Sequence, residues 1–207
     1  MPEASPPRVL VLACGALARE IRDVSAANGW DHVDLECLPA TLHNTPQDIP
    51  GAVDHRLTVA KDNYDRIMVG YADCGTGGLL EPIVTRHGAE MLPGAHCYEF
   101  FAGHALFAQL HEAELGTFYL TDFLVKHFDR MVWKNLGLDR HPELRDLYFG
   151  NYRRVVYIAQ TEDRELQAMA RSHADFLGLK YHYRPSGDGP LSLALAPALA
   201  REETCRS

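Results

Sequence analysis

A chain of 207 residues is long enough to bury a self-supporting core and fits one domain or two small lobes. Its net charge of −8, from 28 acidic against 20 basic side chains, argues against a broad nucleic-acid-binding surface, which needs clustered Lys and Arg. The odd number of cysteines, the absence of any apolar run of about eighteen residues, and the PEASPP that follows Met1 argue against a disulfide framework, a membrane span and a secretory signal. The expected setting is cytoplasmic, with cysteines as reduced thiols or metal ligands.

Residues 1–7 read as a disordered, proline-rich leader. RVLVLA, residues 8–13, is a continuous β-branched and leucine run of strand length, ended by Gly15. A helix is expected over 16–28, stopped by Gly29, and HVDLECL supplies a second strand with Val33, Leu35 and Cys37 alternating. After the proline-bounded loop LPATLHNTPQDIP, residues 51–63 place Val53, Leu57 and Ala60 on one helical face, and YDRIMVGYA follows as a buried strand. This is βαβαβ order. DCGTGG is a glycine-rich turn into a helix over 79–87, AEMLPG a short strand, and 97–114 a helix.

The second half continues with the extended GTFYLTDF, a long amphipathic helix containing Phe128, Val132 and Trp133, and a polar connector through HPELRDLYFGNY. RRVVYIAQT is a strand, TEDRELQAMARSHADFLG its helix, and LKYHYRP the last strand. Alternating strands and helices predict an α/β fold, a mainly parallel sheet with helices on both faces in a Rossmann-like three-layer arrangement, with two pseudo-similar lobes as a variant. Domain bounds of 8–200 with a polar tail over 201–207 follow.

The chemistry concentrates on cysteines. Cys14, Cys74 and Cys97 each stand where an apolar run gives way to glycine or a helix start, so parallel strands would bring all three to the carboxyl edge of the sheet, where open α/β folds build sites. Three thiolates from separate loops can hold zinc or an iron–sulfur cluster and leave one position open, although no CxxC pair is present. Cys37 is a weaker fourth candidate, and Cys205 lies in the polar tail. In HCYEFFAGH, His96 and Glu99 are candidates for acid/base work, and a continuous helix would put Cys97 and His104 on one face.

Gly75, Thr76 and Gly77 of DCGTGG offer backbone amides at a helix N-terminus, able to cradle an anion, though the string matches neither GxGxxG nor the P-loop pattern. His43 and Asn44 lie on a loop leaving the same predicted edge. Gln160 ends a strong strand and is placed to reach a site, while Thr161 is expected to cap the following helix. Most other histidines, His55, His87, His111 and His127 among them, read as surface residues.

Taken together, YADCGTGG, LPGAHCYEFFAG, GTFYLTDFL, LGLDRHPELRDLYFGNYRRVVYIAQT and RPSGDGPL resemble a domain-of-unknown-function family of about 200 residues, found in methanogenic archaea and methylotrophic bacteria. The resemblance covers residues 8–193 and implies a neighbourhood of corrinoid-dependent methyltransferases of the trimethylamine and glycine betaine type. It carries no established catalytic residues.

The expectation is a cytoplasmic metal-binding protein, zinc or iron–sulfur, with a site of Cys14, Cys74 and Cys97, acting on a small molecule in one-carbon or corrinoid-linked methyl metabolism as a methyl-transfer or redox enzyme. Two alternatives stay open. One is a non-catalytic accessory protein that binds a corrinoid protein or corrinoid methyltransferase through residues 138–154 and the helix near Trp133. The other is a metal-free enzyme with Cys74 as nucleophile.

Overall fold

The computed structural model describes residues 7–199, so residues 1–6 of the leader expected over 1–7, the tail over 201–207 and Cys205 lie outside the described residues. The chain groups into two compact units. The first runs to Cys97 and takes in the chain again from Leu191, and the second is Tyr98–Pro190.

Unit 1 is built on a four-stranded parallel sheet in the order β2-β1-β3-β4, with β1 at Val9–Cys14, β2 at Val33–Leu38, β3 at Arg66–Gly70 and β4 at Glu90–Met91. β1 is a run of six apolar residues because it lies between β2 and β3 and is buried along its whole length. The crossovers are α1 (Ala18–Ala27), α2 (Ile49–Ala60) and α3 (Leu80–Arg86). Right-handed connections send the chain left from β1 to β2 and right from β2 to β3 and β4, which puts α1 on one face and α2 with α3 on the other. The packing of α2 against α3 agrees.

The two directions of winding part between β1 and β3, so the crevice at their carboxyl ends is a topological switch point. The strands are close there. A Cβ on Gly70 would lie 2.9 Å from the Ala13 Cβ, so only glycine lets β3 approach β1 at this level.

Unit 2 begins with α4 (Tyr98–Ala102) and α5 (His104–Ala113). Its parallel sheet has the order β5-β6-β7: β5 at Thr117–Leu120, β6 at Arg154–Ala159 and β7 at Lys180–Pro185. Between β5 and β6 come α6 (Asp122–Lys126), a π-helical turn over Asp129–Lys134, and α7 (Arg145–Phe149). α8 (Arg164–Leu177) joins β6 to β7 and buries Leu166, Ala170, Ala174 and Leu177, one stripe at helical spacing. Asp163 accepts from the amides of Glu165 and Leu166, and Gly178 closes the helix at φ 72°.

The α/β class with parallel sheets holds, while several expected elements differ. The helix expected over 97–114 is two helices, because Gly103 adopts φ 77° and ψ 148° between them; Cys97 precedes the first and does not share a helical face with His104. The long helix around Trp133 is α6 followed by the π-helical turn, and the polar connector contains α7. Thr161 is not the cap of α8. It donates to Asp122 Oδ2 at 2.6 Å, and Asp163 caps instead. An additional helix, α9 (Gly189–Leu199), follows β7; from Leu191 on it belongs to unit 1, where Leu191, Leu195, Ala198 and Leu199 are buried and His32 Nε2 donates to the Leu199 carbonyl at 3.0 Å. Its sequence LSLALAPALA is apolar nearly all round, so it lacks the stripe that marks a surface helix.

Candidate metal centre

Each strand of unit 1 is followed by a loop that brings one chemically capable side chain to the carboxyl edge: Cys14 at the end of β1, His43 after β2, Cys74 after β3 and Cys97 after β4. His43 lies in the middle. It sits on a short 3₁₀ turn, Ala40–Asn44, and its ring stacks on Tyr71 with centroids 5.9 Å apart and planes at 17°. Its two nitrogens face different sulfurs, Nδ1 at 3.4 Å from Cys14 Sγ and Nε2 at 4.0 Å from Cys97 Sγ.

His43, Cys74 and Cys97 each offer one ligating atom, and these atoms lie within 4.8 Å of one another. Tetrahedral zinc with bonds of about 2.3 Å to sulfur and 2.0–2.1 Å to nitrogen sets ligand atoms about 3.5–3.8 Å apart, so an inward shift of about 1 Å or less completes the set. Cys14 is buried and already accepts from the Ala16 amide at 3.3 Å. A proton on His43 Nδ1 would also point at Cys14 Sγ and leave Nε2 as the free lone pair, the arrangement by which a second group orients a metal-binding imidazole.

Local backbone geometry puts Cys74 in place. It takes φ 50°, the one non-glycine residue at positive φ among those described, and is followed by Gly75, Gly77 and Gly78, also at positive φ. Asp73 holds the turn from within, accepting from Thr76 Oγ1 and the Gly78 amide at 2.7 Å each and from the Gly77 amide at 3.3 Å. The amide of Asp73 donates to Gly94 O at 3.2 Å and that of Cys74 to Ala95 O at 3.0 Å, tying the turn to the segment that carries Cys97.

The electrostatics follow from this crowding. A hydrogen bond from Cys97 holds Cys74 down to about 4; burial opposes it and His43 assists it. Cys97 is pushed well above the ordinary thiol value by the same bond to Cys74 and by burial. For His43 burial disfavours the charged ring, yet hydrogen bonds to Cys14 and Cys74 outweigh it and raise the imidazole to about 10. These directions favour negative charge on Cys74 beside positive charge on His43, with the proton of the sulfur pair kept on Cys97. The Tyr71 hydroxyl, fully buried and raised by that burial and by Cys14, has no hydrogen bond of ordinary geometry.

The remaining candidates lie as follows. Cys37 is exposed on β2. Thr76 is buried, and the amide of Gly77 points at the Asp73 carboxylate, which thus takes the place an anion would occupy in the DCGTGG turn. His96 is half buried just before Cys97, whereas Glu99 belongs to α4 of unit 2 and binds the exposed His104 Nδ1 at 3.0 Å. Gln160 serves unit 2: its Oε1 accepts from the Asp122 backbone amide at 2.8 Å, and its own backbone amide donates to Asp122 Oδ1 at 3.1 Å. Sequence reasoning placed His43 on the right edge but did not choose it as a ligand, and it passed over Tyr71, which reads only as the tail of a buried strand.

A family described as protein of unknown function (DUF1638) matches residues 37–192, well over half of the chain. The matched span includes His43, Cys74 and Cys97 and begins after Cys14. No curated protein and no solved structure matches.

Proposed function

The chain belongs to this family of proteins of unknown function (DUF1638), and we propose that it binds one zinc-class ion through His43 Nε2, Cys74 Sγ and Cys97 Sγ, with the fourth position open to a small-molecule substrate. The observation that carries this is the convergence of three ligating atoms, from three separate loops, within 4.8 Å of one another at the switch point of a parallel sheet.

Two thiolates and a neutral imidazole neutralise a dication, and a mixed nitrogen and sulfur set suits zinc better than a cluster built on four thiolates. Such an ion supplies Lewis acidity and lowers the pKa of a thiol or water in its open position. Around it, Cys14 fixes the His43 tautomer, the Tyr71 ring supports the imidazole face, and Asp73 holds Cys74 in its positive-φ turn. Activation of a thiol for methylation is a reaction this arrangement serves. Placement in one-carbon and corrinoid-linked methyl metabolism rests on the family resemblance alone.

The test is elemental analysis of protein purified without oxygen, for the parent chain and for His43→Ala, Cys74→Ala and Cys97→Ala. Zinc near one equivalent, lost in each variant while circular dichroism is unchanged, is the expected result. Full metal retention in all three variants, or a parent chain that takes up no metal, would overturn it.

One observation favours a second, metal-free reading. The Cys74 thiolate, held at about 4 by Cys97 and His43, is in the state a nucleophilic cysteine requires. Selective alkylation of Cys74 in a protein that binds no metal would support it.

A further inference from the structure

We propose that Cys74 and Cys97 form a redox pair, closing to an intramolecular disulfide when a hydroperoxide reaches the site. The inference stands on the metal-free geometry; one consequence, release of the ion, rests on the proposed metal centre.

The two sulfurs are neighbours, their Sγ atoms lying within the same 4.8 Å cluster. A disulfide needs a separation of about 2.0 Å and Cβ atoms about 3.5–4.5 Å apart, so both side chains must swing toward each other. Their backbones are already tied across the gap by the bonds from Asp73 to Gly94 and from Cys74 to Ala95. Freedom for the remaining movement is at hand on both sides, where Gly75 at φ 85° follows Cys74 and Gly94 at φ 119° precedes Cys97.

Access and competition point the same way. As a residue Cys97 is half buried, whereas Cys14 and Cys74 are buried. Cys14 faces the opposite nitrogen of His43, so the imidazole separates it from Cys97. The sulfur placed to pair with Cys97 is therefore Cys74.

The chemistry balances with a hydroperoxide as the two-electron oxidant. One sulfur attacks the peroxide oxygen and the O–O bond breaks, leaving a sulfenic acid and, for hydrogen peroxide, one water. The second sulfur then attacks the sulfenic sulfur, the S–S bond forms, and the S–O oxygen leaves as a second water with the remaining thiol proton. Two thiols are oxidised and one peroxide is reduced. Since both sulfurs are candidate ligands, closure removes two of the three ligands and the ion leaves.

The experiment treats the full chain, metal-free and zinc-loaded, with one to two equivalents of hydrogen peroxide. Thiols are counted, peptides mapped without reduction, and released zinc read with a chromophoric chelator. The expected result in metal-free protein is the loss of two thiols and a Cys74–Cys97 peptide, reversed by dithiothreitol. Cys14→Ser, metal-free, should still form the Cys74–Cys97 bridge, and Cys97→Ser should not form it. A bridge that instead includes Cys14, or irreversible oxidation of one cysteine with no bridge, would overturn the pair. A chain that forms the bridge but never held zinc would overturn the metal centre and leave the pair standing.

Discussion

Asp73→Ala tests how the site is held, because Asp73 touches none of the candidate ligands by its side chain yet accepts three hydrogen bonds from the turn that carries Cys74. Two of these are short, at 2.7 Å, and one is long, at 3.3 Å. At about 1 kcal/mol net for each short bond and little for the long one, the variant loses about 2 kcal/mol of support for a residue whose positive φ itself costs about 1–3 kcal/mol. If that loss falls on the ordering of Cys74, zinc binding weakens by about 30-fold, taking 1.4 kcal/mol per factor of ten. Asp73→Asn keeps Oδ1, which accepts both short bonds, and should lose less than about tenfold. The assay is competition for zinc against a chromophoric chelator, with circular dichroism checking that the unit stays folded. An alanine variant that binds zinc within about threefold of the parent would refute the argument that this carboxylate positions Cys74.

Three further expectations concern the pH response and the two cores. Cys74, lowered from 9.0 to about 4, stabilises the metal-free fold fully above the unfolded thiol value and loses that contribution as pH falls through about 4; His43, raised from 6.5 to about 10, contributes fully below 6.5 and loses it as pH rises through about 10. The difference in melting temperature between the parent and Cys74→Ala should therefore be greatest between about pH 6.5 and 9 and shrink on both sides, and a difference flat from pH 4 to 10 would contradict the ion pair. Gly70→Val brings a Cβ to 2.9 Å from the Ala13 Cβ and should cost about 1–3 kcal/mol by urea unfolding, with zinc affinity falling too because the strands part at the switch point. In unit 2, buried Asp122 accepts from Tyr157 Oη at 2.7 Å, Thr161 Oγ1 at 2.6 Å and the Gln160 amide at 3.1 Å, so Asp122→Ala orphans buried donors and should cost about 3–5 kcal/mol in the same assay, with no change in zinc affinity.

How much of the site could be read from residues alone depends on what a parallel sheet imposes. Every strand in such a sheet ends on the same edge, so an apolar run followed by a thiol is enough to predict that Cys14, Cys74 and Cys97 come to one side. The neighbours of each cysteine depend on strand order, which arises from pairing between strands distant in sequence. β1, first in the chain, is interior, with β2 on one side and β3 on the other, and nothing in RVLVLA or HVDLECL states that. The assignment of strands to two sheets is equally unstated, because β5 and β6 carry the same apolar pattern as the buried strands of unit 1.

His43 shows the same limit more sharply. Its loop has no hydrophobic period, since it is a pair of 3₁₀ turns, Ala40–Asn44 and Pro46–Asp48, and a lone histidine in such a loop looks like any surface histidine. What distinguishes it is its setting: a buried tyrosine beneath the ring, Cys14 at Nδ1, Cys97 4.0 Å from Nε2, and Cys74 in the same cluster of ligating atoms. The ring divides the three edge cysteines into a pair and a single. In the proposed centre that division gives Cys14 a positioning role and makes Cys74 and Cys97 the ligands, a distinction three similar strand ends cannot express. A sulfur count by X-ray absorption would decide it. Two sulfurs at bonding distance from zinc in both the parent and Cys14→Ser is the expected result, and a fall from three to two would return Cys14 to the ligand set.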